Sequence, residues 1–185
     1  MNNFSEPFIL TDKSRLQEIY DLRVLAWENS PDSDNINSTK YPNGFSDQLE
    51  DKSIHIISTD ARDTIVGAAR LTICDALDEL PYPGIFKAYE HLMPAERPFL
   101  FYSRLVVHPD YRKTELRKMF DDFRINYMLN SYISFALASA KPKRVLQILP
   151  YGFQEIGITS NKIDPNYPFS DHALLLLILQ KNIQL

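Results

Sequence analysis

Residues 99–117 read FLFYSRLVVHPDYRKTELR. Aromatic and β-branched side chains dominate the first nine positions, and no turn former interrupts them before His108, so the stretch predicts a strand. Pro109-Asp110 is a turn signal, and helical spacing resumes from about Thr114. A strand that passes through a tight turn into a helix leaves backbone N–H groups at the helix start, where a phosphate can be held. Strand alternation predicts Leu100, Tyr102, Arg104 and Val106 on one face, with Phe101, Ser103, Leu105 and Val107 on the other.

Upstream, residues 53–59 (SIHIIST) and 64–74 (TIVGAARLTIC) read as two arms of a hairpin turned at Asp60 to Asp63. Ala68, Arg70 and Thr72 share one face of the second arm. An arginine between small residues predicts a salt bridge across the sheet or the wall of a groove. Before the hairpin, residues 4–10 (FSEPFIL) predict a first strand, pushed to a sheet edge by Pro7. Thr11-Asp12 supply a helix cap, and Ser14 with Gln17 adds a capping-box pattern. Leu16, Ile19, Tyr20, Arg23, Val24 and Trp27 fall on one face of a helix from about Asp12 to Asn29. Arg23 interrupts that face, either as a snorkelling side chain at the core's edge or as a contact for an anion or carboxylate. Residues 30–46, with Pro31, Pro42, Gly44 and many Asn, Asp and Ser, predict a long loop with little to bury and a role as a substrate lid. Asp47 and Asp51 follow it.

Residues 75–98 are irregular, with a short helix near Ile85 to Leu92. After the Pro109 turn the helix runs to about Ser131, and a strand follows from Tyr132 to Ala138. Lys141-Pro142 opens a short helix through Leu149, and Tyr151-Gly152-Phe153 leads into a strand ending near Thr159. A loop over residues 161–170 precedes a last strand, His172 to Lys181.

The 185 residues suffice for one domain with a sizeable core, taken as residues 1–185. A formal charge of −4 argues against nucleic acid or an anionic membrane as main partner. The single cysteine, Cys74, excludes an internal disulfide framework, and the four scattered histidines have no metal-ligand spacing. Residues 1–15 carry no secretory signal, and the longest apolar run, Ala173 to Leu179, is too short to span a bilayer. A cytoplasmic protein is the expectation.

This order of elements resembles the GNAT superfamily of N-acyltransferases over nearly the whole chain. The resemblance rests on residues 65–71 (IVGAARL), residues 103–112 (SRLVVHPDYR) and residues 151–153 (YGF). It implies an α/β (α+β) fold: a mixed, mostly antiparallel central sheet with a splayed strand, flanked by helices on both faces. It also implies an acyl-thioester donor lying in the opening beside that strand, along Leu105, Val106 and Val107, with the pyrophosphate of coenzyme A held at the turn. The family's usual loop is Arg-Gly-x-Gly-x-Gly or Ala. Here residues 112–117 read RKTELR, and all three glycines are gone. Arg112, Lys113, Thr114 and Arg117 are the cofactor-binding candidates, by side chain. The tyrosine that many members place four residues before the closing Gly-Phe is Ile148 here, which leaves Tyr151 as the nearest general-acid candidate.

Within the superfamily the chain resembles acyl-homoserine-lactone synthases and long-chain N-acyl amino acid synthases, which take acyl groups from acyl carrier protein. Leu22-Arg23 with Trp27, the acids Asp47 and Asp51, residues 69–71 (ARL) and Ser103-Arg104 carry that likeness, while the glutamate three residues before the second arginine is Phe101 here. The resemblance implies an N-acyltransferase moving an acyl group from acyl-CoA or acyl carrier protein to a small amine. Asp47, Asp51, Arg104 and Tyr151 are its catalytic candidates; Arg23, Trp27, Arg70, Tyr102 and Ser103 would meet the substrate. No metal enters this chemistry. The other reading is a GNAT-fold domain that does not catalyse and serves as a binding or interaction module.

Overall fold

The central strand forms as the sequence predicts. In the computed structural model, which describes residues 3–30 and 36–179, Phe99–Val107 is a strand, followed by a 3-10 turn at Pro109–Tyr111 and a helix at Leu116–Leu129. In chain order the elements are β1 (Phe8–Ile9), α1 (Leu16–Glu28), β2 (Ser53–Thr59), β3 (Ile65–Cys74), α2 (Pro83–Lys87), β4 (Phe99–Val107), α3 (Leu116–Leu129), β5 (Phe135–Ala140), α4 (Pro142–Ile148), β6 (Gln154–Thr159) and β7 (His172–Ile178). The strands make one seven-stranded, mixed and mostly antiparallel sheet in the order β1-β2-β3-β4-β5-β7-β6. β4 pairs with β5 in parallel over three residues, from Leu100↔Ala136 to Tyr102↔Ala138.

The chain divides into two compact units, Met1–Leu71 with Ser103–Phe123, and Thr72–Tyr102 with Arg124–Leu185. In the first, Ile19, Leu22 and Ala26 of α1 pack with Ile57 of β2, Ile65 and Ala68 of β3 and Val106 of β4, and Leu10, Leu16, Tyr20 and Trp27 close over them. A helix with apolar residues on one stripe and a sheet with small residues facing it need each other for burial. Gly67 makes the contact with α3 possible: a Cβ there would meet Phe120 Cε2 at 2.5 Å. The second unit is built on aromatic side chains, with Phe99 stacked on Phe135 at 5.2 Å and Phe86 edge-on to Phe101 at 5.4 Å.

Several boundaries differ from the sequence reading. The first strand shrinks to Phe8–Ile9, with a lone bridge from Phe4 to Asp60, because Pro7 between them has no N–H to give. The N-terminal helix starts with a 3-10 turn at Lys13–Arg15 capped by Asp12, whose carboxylate accepts from Ser14 N–H at 2.9 Å. Ser14 gives its own hydroxyl to that carboxylate, and Gln17 reaches Asp21 and the Asn43 carbonyl, so no Ser14–Gln17 capping box forms. The helix read over residues 85–92 is α2 followed by a separate 3-10 turn, Glu90–Leu92. The helix after the turn starts and ends two residues inside its expected bounds. β5 starts three residues later than read, since a Ser131 hydroxyl bond to Ile133 N–H turns the chain first. Part of the expected lid, residues 31–35, and the last residues of the expected final strand, 180–181, lie outside the described residues. The rest of the loop is not empty of core: Ile36 and Phe45 are buried.

Candidate active site

The chemistry-bearing side chains of the first unit converge on two acids, and the backbone brings them there in three ways. Arg23 sits on the buried face of α1, 1% exposed. The segment after the loop is pinned to α1: Gly44 adopts φ +80°, a Cβ there would lie 2.6 Å from Tyr20 Cβ, and Phe45 N–H donates to the Tyr20 carbonyl at 3.1 Å. A following turn, with Glu50 N–H on the Asp47 carbonyl and Leu49 N–H on the Asp47 carboxylate, points Asp47 and Glu50 the same way.

The third device is in β4. Arg104 has φ +56°, a left-handed conformation that costs a non-glycine residue about 1–3 kcal/mol and clusters at functional sites. It breaks the alternation the sequence predicts, so Ser103 and Arg104, consecutive residues, both join the same network. Ser103 Oγ accepts from Arg70 Nε at 3.0 Å, while Arg104 Nη2 and Nε donate to one Asp47 oxygen at 2.6 and 3.1 Å.

Arg70, fully buried on β3, grips Asp47 in fork geometry at 2.7 and 3.0 Å and also reaches Glu50 at 2.6 Å. Arg23 grips Glu50 the same way, at 2.7 and 3.1 Å, and donates to the Phe45 carbonyl at 3.0 Å. Of the two readings for Arg23, the carboxylate contact is the one observed. Aromatic rings wall the cations. The Arg104 guanidinium lies 4.8 Å from the Phe45 ring centre and 5.9 Å from that of Trp27, and Phe45 is edge-on to both Trp27 and Tyr41.

The protonation states follow from this packing. Burial works to raise the Asp47 carboxyl pKa, but the charge of Arg104 and the hydrogen bonds and charge of Arg70 outweigh it, so the group stays well below the usual carboxylate range. Burial pushes Arg23 down, opposed by its bonds to Glu50 and helped by Arg70 and Arg104; it still carries its charge. His55 is pushed down from 6.5, first by burial and then by the nearby arginines, against the pull of Glu50. Its Nε2 lies 3.1 Å from the Glu50 carbonyl, which fixes the proton there.

The other sequence candidates lie elsewhere. Asp51 is exposed and stands outside the network; its neighbour Glu50, missed by the sequence reading, takes the second acidic place. Three residues after Asp47, Glu50 shares its side of a turn, and that spacing was the available signal. Tyr102 and Tyr151 belong to the second unit. The Tyr102 hydroxyl donates to the Arg124 carbonyl at 2.8 Å under the Arg124 guanidinium, and Tyr151 is half-buried beside Gly152. Val106 and Val107 are buried, Leu105 and Arg117 half-buried, and Lys113 and Thr114 exposed at the turn. The Arg112 guanidinium bonds the carbonyls of Ala26 and Asn29 at the end of α1. Among the described residues, no group of three or more His, Cys, Asp or Glu side chains is placed to hold a metal ion, and no helix is long and apolar enough to cross a membrane.

Comparison with curated proteins gives no match. Among solved structures, FeeM, an N-acyl amino acid synthase from uncultured soil microbes, superposes with a TM-score of 0.69 at 12% identity, over 95% of this chain and 90% of that one. A CoA-dependent acyl-homoserine lactone synthase, BjaI, gives 0.66 at 15% identity, over 91% and 78%. A GNAT family acetyltransferase from Elizabethkingia anophelis with acetyl-CoA bound gives 0.62 at 15%, over 97% and 100%. At these identities the likeness speaks for the fold. Residues 35–120, which hold the whole charged network except Arg23, match the family described as acetyltransferase (GNAT) domain. The fold of the whole chain is thus that of these acyltransferase structures, and its residues 35–120 are similar to the acetyltransferase (GNAT) domain family.

Proposed function

We propose that the protein is an N-acyltransferase that moves an acyl group from a thioester donor to an amine whose carboxylate rests on Arg104. The observation that carries this reading is Arg104 itself. It is a guanidinium held in a left-handed turn of the central GNAT strand, fixed by Asp47 and flanked by Phe45 and Trp27. Arg23 and Arg70 are fully buried on Glu50 and Asp47, so they set the position of Arg104, whose side chain keeps 9% of its surface open. The acceptor nitrogen attacks the thioester carbonyl carbon; the C–N bond forms, the C–S bond breaks, and the sulfur leaves as thiolate. A backbone N–H of β4 polarises the carbonyl. Asp47 is too weak a base to take the amine proton, so its part is to orient Arg104, and water takes the proton.

The turn after β4 favours a carrier-borne donor over coenzyme A. Five backbone donors there are engaged locally: Asp110 on His108 Nδ1, Tyr111 on the His108 carbonyl, Arg112 on Pro109, Thr114 on Tyr111 and Leu116 on Thr114 Oγ1. A pyrophosphate would have to displace these bonds beside Glu115, whereas the single phosphodiester of a carrier arm asks less of the loop. The same turn favours the second reading, a binding module without catalysis. Incubation with acyl carrier protein or coenzyme A thioesters and an amino acid pool separates the two. New amide product supports the transferase; binding with no product over a range of chain lengths supports the module.

A further inference from the structure

We propose that Arg112 is a positioning residue that clamps the end of α1 and thereby sets Trp27 against Arg104, and that it is not a phosphate contact. A helix leaves its last carbonyls without intrahelical donors, and a basic side chain in the last turn commonly covers them. The last turn of α1 has none. The Leu25 carbonyl takes the Asn29 backbone and side-chain N–H groups at 3.3 and 3.0 Å, and the Trp27 carbonyl takes Ser30 N–H at 3.0 Å. The carbonyls of Ala26 and Asn29 take Nη2 and Nη1 of Arg112, more than 80 residues away in sequence.

This fork ties two segments that each deliver part of the site. Arg112 stands five residues beyond the end of β4, the strand that carries Arg104. The end of α1 carries Trp27, and next to it Glu28, whose carboxylate accepts the Ser38 hydroxyl at 2.8 Å and so anchors the loop leading to Phe45 and Asp47. A planar guanidinium bridges two carbonyls at fixed spacing, and a lysine ammonium does not. Loss of the fork therefore loosens the Trp27 wall of Arg104 without removing any group that touches substrate.

The test uses the fact that Trp27 is the chain's only tryptophan. Arg112→Ala is expected to raise acrylamide quenching of the emission roughly twofold and shift it to the red while far-UV circular dichroism is kept, as local opening requires. Arg112→Lys should recover less than half of the change. Two controls should leave the emission as in the parent: Lys118→Ala, an exposed charge on α3, and Phe86→Leu, a destabilising change in the second unit. Should Arg112→Ala fail to fold, Arg112→Lys alone decides. Parent-like quenching in a folded Arg112 variant, or an equal change in either control, would overturn the proposal.

Discussion

Asp47 accepts from Arg104 and Arg70 at once, one carboxylate holding two guanidinium groups that come from neighbouring strands. This shared acid explains why a positive-φ arginine persists on β4: the backbone strain is offset by charge-assisted bonds in a buried site.

Removing the charge should therefore be costly. Asp47→Asn takes the acid from Arg104 and leaves buried Arg70 with Glu50 as its remaining acid. The cost should approach, without exceeding, that of a fully broken buried pair, about 3–5 kcal/mol. Asp51→Asn, an exposed position, should stay within about 0.5 kcal/mol of the parent. Urea denaturation of the two variants side by side makes the comparison.

Stability should rise with pH on two limbs. Both Asp47 and His55 have folded values below those of the unfolded chain, so the unfolded state binds more protons. The His55 contribution is complete above about pH 6.5 and fades as pH falls toward its folded value; that of Asp47 is complete above about pH 4 and fades below. His55→Gln, which keeps a donor for the Glu50 carbonyl, should flatten the upper limb only. Melting temperatures across the range will show whether the limbs separate.

Gly67→Ala should cost about 1–3 kcal/mol by overpacking against Phe120. Phe120→Leu in the same chain should recover part of that loss, so a double-mutant cycle is expected to be non-additive.

Much of the architecture was legible because it rests on local signals. Periodicity placed α1, the hairpin of β2 and β3, and β4, and the Pro109 bend marked the turn. Arg70 between small residues pointed to a salt bridge across the sheet or the wall of a groove; it makes a salt bridge, but with Asp47 and Glu50 of the turn before β2. What escaped the sequence depends on backbone conformation and partners distant in the chain. No local pattern announces φ +56° at Arg104, so its alternation with Ser103 was misread. Asp51 was chosen and Glu50 passed over because only the turn after Asp47 decides which acid faces the arginines. The contact of Arg112 with the carbonyls of Ala26 and Asn29 at the end of α1 could not be read either, because those partners lie more than 80 residues away in sequence.

The central claim is that Arg104 serves acyl transfer. The most direct measurement is mass spectrometry of amide product from acyl carrier protein and coenzyme A thioesters with carboxylate-bearing amines, for the parent and for folded Arg104→Ala. The account predicts product with the parent, more readily from the carrier-borne donor, and at least about a hundredfold less with Arg104→Ala, as expected when a charged acceptor contact is lost. An equal rate in the variant, or no amide from any donor with the folded parent, would contradict it.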